Sequence, residues 1–112
     1  MKEMPVLMGH EEIFLLVILK LEENAYGVTI RREISRQTGK EWSVGAVYDH
    51  LYRMENRGLV ESSMSIPVKE RGGRSRRIFR VPKNGLLALE AHKKIRDRLW
   101  KGMSLPLFDA ES

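Results

Sequence analysis

The residues with the clearest capacity for chemistry form a short basic stretch from Lys69 to Arg80. It holds six basic side chains and one acidic side chain, Glu70. The whole chain has 20 basic and 15 acidic residues, a net charge of +5, so this stretch carries the entire excess. A localised positive patch is typical of a protein that binds a polyanion. A solvated turn that happens to be basic has the same composition, so charge alone leaves both interpretations open.

Two glycines lie in the middle of this stretch, and arginines flank them. Because glycine tolerates positive φ, the Gly72-Gly73 pair predicts a hairpin with a tight tip. Such a hairpin can lay guanidinium groups along phosphates or into a narrow minor groove. The predicted DNA-contacting residues of the hairpin are Arg71, Gly72, Gly73, Arg74, Arg76 and Arg77. Since Arg76 and Arg77 are adjacent, strand alternation should turn one of them towards the protein.

A second group of residues lies on a helix that the sequence predicts from a Ser43 N-cap to about Arg57. Val44, Val47, Leu51 and Met54 recur at spacings of three and four, which predicts a buried stripe. The opposite face then carries Gly45, Asp49, Tyr52, Arg53 and Asn56. Gly45 and Ala46 leave the first turn almost bare, where backbone amides favour phosphate. The predicted DNA-contacting residues of this helix are Ser43, Gly45, Ala46, Tyr48, Asp49, Tyr52 and Arg53.

Three alternatives stay open for this helix. An ordinary amphipathic helix also has a polar outer face. Asp49 is repelled by phosphate, so it either accepts a hydrogen bond from a cytosine amino group in the major groove or faces away. Tyr48 lies at the edge of the buried stripe, and its hydroxyl either reaches a phosphate or stays in water.

The sequence gives little support for an enzyme or a metal site. The three histidines, His10, His50 and His92, are far apart in sequence, and none has a partner at ligand spacing. No nucleophile elbow, phosphate loop or paired-carboxylate motif is present. Cysteine is absent, which excludes disulfides and thiolate sites. We therefore predict a protein that is not an enzyme and has no metal site and no cofactor.

The elements that must position these groups follow from periodicity and turn residues. Helices are predicted over about Gly9–Leu21, Val28–Thr38 and Ser43–Arg57, strands over Leu59–Ser63 and Arg77–Val81, and a last helix from Pro82 to about Lys101. This order predicts an α+β, mostly helical fold, a winged helix-turn-helix with an added C-terminal dimerisation helix. We expect a DNA-binding domain over residues 1–81, the dimerisation helix over 82–103 and a flexible tail over 104–112.

Apolar surface beyond the needs of one small core predicts a homodimer. The first helix is apolar around nearly its whole circumference, and the last carries a stripe that a winged-helix core does not require. The predicted interface residues are Phe14, Leu15, Ile18, Leu89, Ile95, Leu99 and Trp100. Trp100 fits either interface packing or the wall of an effector pocket. The longest apolar run, Ile13–Leu19, is far shorter than a membrane span, and no signal-peptide pattern is present, so a soluble cytoplasmic protein is expected.

Several separated motifs, in order, resemble the PadR family of bacterial transcriptional regulators. They are Ala25–Ile34, Ser43–Tyr48, Leu51–Val60, Glu70–Arg74 and Arg77–Arg80, within a match over roughly Leu15–Leu89. The chain departs from the family in two places. Pro82-Lys83-Asn84-Gly85 stands where the family often has Thr-Pro before the last helix. Ile78 and Phe79 stand where the strand often has two tyrosines.

The resemblance implies a dimeric winged-helix repressor of a palindromic or near-palindromic operator. The helix over Ser43–Arg57 would enter the major groove and the hairpin would be the wing. The length is similar to the short subfamily, whose C-terminal helix pairs with the first helix of the partner. Some short members bind flat apolar compounds between subunits near aromatic residues, and Trp100 corresponds by rough position.

The expected function is therefore a sequence-specific regulator of double-stranded DNA. It would be a dimeric repressor relieved by a small apolar effector, with no membrane partner. The alternative is a winged-helix interaction module whose partner is an acidic protein. That alternative makes no use of the bare first turn at Gly45 and Ala46.

Overall fold

The computed structural model describes residues 6–66 and 75–107. Its helices are α1 (Gly9–Leu21), α2 (Gly27–Thr38), α3 (Val44–Asn56) and α4 (Lys83–Trp100), its strands are β1 (Glu61–Met64) and β2 (Arg77–Arg80), and a 3₁₀ turn covers Glu22–Asn24. The helix-helix-helix-strand-strand-helix order is the predicted one. Within the described ranges, no helix combines the length and the apolar character needed to cross a membrane.

The start of α1 is fixed by a buried carboxylate. The backbone N–H of Met8 donates to Oε1 of Glu11 at 2.8 Å, so the first turn is capped from inside the helix. Helix α1 ends where Glu22 adopts a positive φ of 54°. Apolar residues surround α1, and half of them, Phe14, Leu15, Val17 and Ile18, are buried within this one chain.

Local hydrogen bonds and a glycine mark the start and the end of α2 and the start of α3. Thr29 Oγ1 accepts a hydrogen bond from the Tyr26 N–H at 3.1 Å, which starts α2 at Gly27, one residue before the predicted start. Gly39 ends α2 with a left-handed φ of 70°, a conformation that favours glycine. Ser43 Oγ then accepts from the Ala46 N–H at 3.1 Å, so the predicted N-cap of α3 is confirmed.

The two strands form an antiparallel hairpin that is also tied to the segment before α2. Glu61 pairs with Arg80 and Met64 pairs with Arg77. The Phe79 N–H donates to the Ala25 carbonyl at 2.8 Å, which joins β2 to the turn that precedes α2. The first strand was predicted two residues too early, because Leu59 and Val60 are buried in the core as the connection from α3 to β1.

Helix α4 begins directly after Pro82, without a side-chain cap. Its first turn packs closely on the connection from α3 to β1. A Cβ built at Gly85 would overlap with the Leu59 carbonyl oxygen and lie 2.6 Å from Val81 Cγ1. Glycine at this position therefore lets α4 dock, and the helix forms although the family's Thr-Pro is missing.

The core lies between helices α1, α2 and α3 and the inner face of the hairpin. Its apolar members are fully or almost fully buried, and most of them come from α1, α2 and α3. They are Leu7, Phe14, Leu15, Val17, Ile18, Ala25, Ile30, Ile34, Val47, Leu51, Met54, Leu59, Val60, Phe79 and Ala88. The fold is an α+β winged helix, as the element order predicted.

Candidate nucleic-acid interface

The first turn of α3 is as bare as the sequence predicts. A Cβ built at Gly45 would meet no atom within 4 Å, and Ala46 is half-buried. The prediction that Val44 belongs to the buried stripe is wrong, because 47% of its surface is exposed. It stands at the first helical position, one turn before the first fully buried residue of the stripe, Val47, and therefore projects beyond the core. The start of α3 presents backbone and an apolar edge to solvent.

Further along α3, the outward side chains are Asp49, Tyr52, Arg53 and Asn56, all of them exposed. Arg53 Nη2 lies 3.0 Å from Asp49 Oδ2, one turn away on the same face. This pairing offsets the negative charge of Asp49 on a surface that could otherwise repel phosphate. The face therefore offers a guanidinium, a phenol and an amide in a row.

Tyr48 packs sideways instead of pointing outward. Its ring stacks with Tyr52 at a centroid distance of 5.8 Å and lies 6.3 Å from the ring of Phe79 on β2. It also covers Gly27, the first residue of α2, so closely that a Cβ there would lie 2.6 Å from Tyr48 Cε2. Tyr48 thus joins α3 to α2 and to the hairpin.

The described part of the hairpin carries three arginines in different surroundings. Arg77 is exposed and donates to Ser62 Oγ at 2.9 Å, and Arg80 pairs with Glu61 at 2.9 Å. Arg76 is half-buried, with its guanidinium carbon 4.3 Å from the centroid of the Tyr26 ring. Of the adjacent pair, Arg76 is the residue that turns towards the protein.

The predicted contacts at the hairpin tip, Arg71, Gly72, Gly73 and Arg74, lie outside the described residues. The same is true of residues 108–112, within the predicted tail.

The residues predicted for a dimer interface separate into two groups. Phe14, Leu15 and Ile18 are at most 2% exposed within the single chain, which corrects their assignment, because they have no surface to offer a partner. Leu89 is half-buried, and Ile95, Leu99 and Trp100 are exposed. The exposed apolar residues of α1 are instead Leu16 and Leu19.

A shallow groove of about 480 Å³ runs between α1 and α4. Leu16, Leu89 and Trp100 supply its apolar lining, and charged side chains surround them. One of those charges, Glu12, accepts a hydrogen bond from Arg96 at 2.7 Å and so joins the two helices. The groove places Trp100 beside the exposed face of α1.

Two histidines that are far apart in sequence meet in the fold, a contact that their spacing along the chain did not predict. The ring centroids of His10 on α1 and His50 on α3 are 4.3 Å apart. Among the described residues no group of three or more metal-ligating side chains gathers. The contact needs the α1–α3 packing, so spacing along the chain could not reveal it.

Two other positioning groups were missed. They are Gly27, the first residue of α2, and Glu11, in the first turn of α1. Glu11 is 3% exposed and forms an ion pair with Arg57, which directly follows α3. Arg57 also donates to the Val6 carbonyl at 3.1 Å. The available signal was Glu11 itself, an acid three residues after Met8 at a helix start, which is the spacing of a capping box.

Comparison with protein families gives a match over most of the chain. The transcriptional regulator PadR-like family matches residues 15–91, more than half of the chain. A search of curated protein sequences finds no match.

Solved structures of PadR proteins share the fold. A PadR-like transcriptional regulator from Bacillus cereus strain ATCC 14579 has a TM-score of 0.69 at 24% identity, over 83% of this chain and 85% of that one. A PadR family transcription regulator from Clostridium difficile R20291 has a TM-score of 0.59 at 27% identity, over 84% and 93%. A third, from Eggerthella lenta DSM 2243, has a TM-score of 0.62 at 24% identity, over 83% and 79%.

The fold and the exposed face of α3 beside a basic hairpin define a winged-helix protein of the transcription-factor class. The chain belongs to the transcriptional regulator PadR-like family. Members of this family are DNA-binding regulators and not enzymes, so membership confirms the resemblance and the non-enzymatic class drawn from the sequence.

Proposed function

We propose that this protein is a homodimeric repressor that binds double-stranded DNA through α3 and the hairpin. The observation that carries the proposal is the exposed face of α3, where the open first turn at Gly45 precedes the outward side chains of Tyr52 and Arg53. A helix with a bare N-terminal turn can approach the major groove closely, and its amides favour phosphate. The hairpin beside it supplies arginines for the flanking backbone or minor groove.

The direct test is fluorescence anisotropy with DNA from upstream of the protein's own coding sequence. Binding at about 0.15 M salt should be at least 10³-fold tighter than to scrambled DNA, the lower end for specific regulators. Equal affinity for the two DNAs would contradict a sequence-specific repressor. Co-purification of an acidic protein, together with equal DNA affinities, would favour the interaction module instead.

The hairpin's part is tested by neutralising Arg71 and Arg74 together. Each lost phosphate contact should reduce the slope of log affinity against log salt by about 0.9. The matched control is Lys83→Gln with Lys94→Gln, which removes the same charge from exposed positions of α4 outside the groove. A slope equal to that of the wild type in the Arg71 and Arg74 variant would mean that the hairpin does not touch phosphate.

Dimerisation is proposed through the groove between α1 and α4, with Leu16, Leu89 and Trp100 as its apolar floor. A small domain gains stability by burying such surface against a second copy. Leu16→Glu should shift sedimentation from dimer to monomer without unfolding the chain, since half of Leu16 is exposed. Val28→Glu, an exposed apolar residue of α2 outside the groove, is the control. A Leu16→Glu variant that stays dimeric would move the interface elsewhere.

We also propose Trp100 as the contact for a flat apolar effector. Half of its surface is exposed in the single chain, at the end of the groove. A planar aromatic compound should quench its fluorescence by stacking, and the Trp100→Ala variant should bind that compound at least tenfold more weakly. Trp42 contributes a background signal, so calorimetry on both proteins gives the comparison. Equal affinities for wild type and Trp100→Ala would exclude this role.

A further inference from the structure

His10 and His50 belong to a small aromatic cluster that joins α1 to α3. The ring centroid of His50 lies 4.3 Å from that of His10, 5.4 Å from that of Phe14 and 5.7 Å from that of Trp42. Phe14 is fully buried, whereas both histidines keep part of their surface in solvent. The cluster therefore packs tightly on its inner side and still admits a proton from water.

Two imidazoles in contact keep this geometry most favourably while at least one of them is neutral. A positive charge on both rings would place like charges about 4 Å apart, which is strongly unfavourable in a partly dry site. Burial, and then the neighbouring His10, lower the pKa of His50 below its usual value. The second proton, which would make both rings positive, therefore binds more readily to the unfolded or loosened chain than to the packed pair.

The charged groups around the pair do not cancel this repulsion. Arg53 on α3 acts in the same direction as His10, and Asp49 and Glu11 act against it. Asp49 is already paired with Arg53, and Glu11 with Arg57. In the connection between α2 and α3, the ammonium of Lys40 lies over the Trp42 ring, 5.6 Å from its centroid. It places a further cation near the cluster.

The consequence concerns the helix that carries Tyr52 and Arg53. His50 lies on α3 between the buried stripe and the outward face, and its contact with His10 is one of the links between α3 and α1, beside the Glu11–Arg57 ion pair. We infer that the His10–His50 contact is a proton-sensitive clamp that holds α3 in place and releases it on acidification. His50 is thus a positioning residue, and its effect on DNA affinity rests on the function proposed above.

The direction of the pH effect follows from linkage. A histidine with a lowered pKa in the folded chain contributes stability that is complete above its unfolded pKa of about 6.5. That stability is lost as the pH falls through the lower pKa of folded His50. Acidification from pH 7.5 to 5.5 should therefore lower the melting temperature by a few degrees, the shift expected in a small domain.

The decisive measurement is an NMR titration of the histidine ring protons in the full chain. In the wild type, His50 should titrate below the usual range, and in the His10→Gln variant its midpoint should move upward because the like charge is gone. His92→Gln, which alters a histidine on α4, should leave the His50 midpoint where it was. An unchanged His50 midpoint in His10→Gln would overturn the clamp.

Thermal unfolding and DNA binding extend the test. Between pH 7.5 and 5.5 the melting temperature of His10→Gln should fall less than that of the wild type, and an equal fall would also contradict the proposal. The ratio of DNA affinities at the two pH values should likewise be larger in the wild type, and equal ratios would show that the clamp does not reach α3. Absence of specific DNA binding at pH 7.5 would refute the proposed function alone, because the titration and unfolding tests need no DNA.

Discussion

The ring of Tyr48 lies across Gly27, so the third helix rests directly on the backbone of the second at its first residue. A Cβ built at Gly27 would lie 2.6 Å from Tyr48 Cε2 and would overlap with the hydroxyl. Tyr48 is held on its other sides by Tyr52 and Phe79. The spacing between α2 and α3 therefore depends on the missing side chain at Gly27.

Gly27→Ala should lower the free energy of unfolding by about 1–3 kcal/mol, the usual effect of adding a methyl to a packed site. Alanine favours helix more than glycine, so any loss must come from the displaced tyrosine ring. Urea unfolding measures the change. Gly27→Ala in a Tyr48→Leu background is the control, because the shorter side chain should remove most of the clash. An equal loss in both backgrounds would assign the effect to something other than Tyr48.

Because the turn at Gly45 is open, a substitution there can change DNA affinity without lowering the stability of the fold. A side chain there meets no atom within 4 Å, so Gly45→Leu should leave the free energy of unfolding unchanged or raise it by up to about 1 kcal/mol. If α3 approaches DNA by this turn, the same variant should lose at least tenfold in DNA affinity, about 1.4 kcal/mol. Gly9→Leu, at the equally open first position of α1, is the matched control for stability and for binding. Unchanged DNA affinity in Gly45→Leu would remove this turn from the interface.

The ion pair between Glu11 and Arg57 should matter far more than the exposed pair on α3. Glu11 is almost fully buried, so Arg57→Gln leaves an uncompensated carboxylate and should lower the free energy of unfolding by about 3 kcal/mol. Arg53→Gln breaks the solvent-exposed pair with Asp49 and should lower it by less than about 1 kcal/mol. Chemical denaturation of both variants under one condition gives the comparison. Similar losses would mean that the Glu11 site is less dry than its burial indicates.

Local patterns in the sequence predicted the elements well, since caps, glycines and apolar spacing act within a few residues. Ser43 and the stripe of Val47, Leu51 and Met54 are examples. The direction in which a side chain faces was harder to predict where tertiary packing decides it. Periodicity placed Val44 inside the core, whereas its position at the helix start leaves it exposed.

Contacts between distant segments could not be read from spacing. An apolar helix such as α1 can be buried by its own chain or by a second copy, and the sequence assigned Phe14, Leu15 and Ile18 to the second copy when the first covers them. The meeting of His10 with His50 depends on how α1 packs on α3. The docking of α4 depends on a glycine, Gly85, that carries no local turn signal of its own.

The two adjacent arginines at the start of the returning strand should differ in what they do. Arg76 lies over the Tyr26 ring, an interaction that contributes about 0.5–1 kcal/mol at a partly exposed site. Arg77 is exposed, and its only described side-chain hydrogen bond is to Ser62. Arg76→Gln should therefore lower the free energy of unfolding by about that amount, and a double-mutant cycle with Tyr26→Leu should recover it as a coupling energy.

Arg77→Gln should leave stability unchanged and reduce the salt dependence of DNA binding by about one phosphate contact, whereas Arg76→Gln should leave the salt slope unchanged. The reason is that a guanidinium committed to Tyr26 is less free to meet a phosphate than one that projects into solvent. Anisotropy titrations at several salt concentrations measure both slopes with one DNA. An equal reduction of the slope by Arg76→Gln and Arg77→Gln would mean that Arg76 leaves the Tyr26 ring and contacts DNA in the complex. The proposed difference in role between the two arginines would then be wrong.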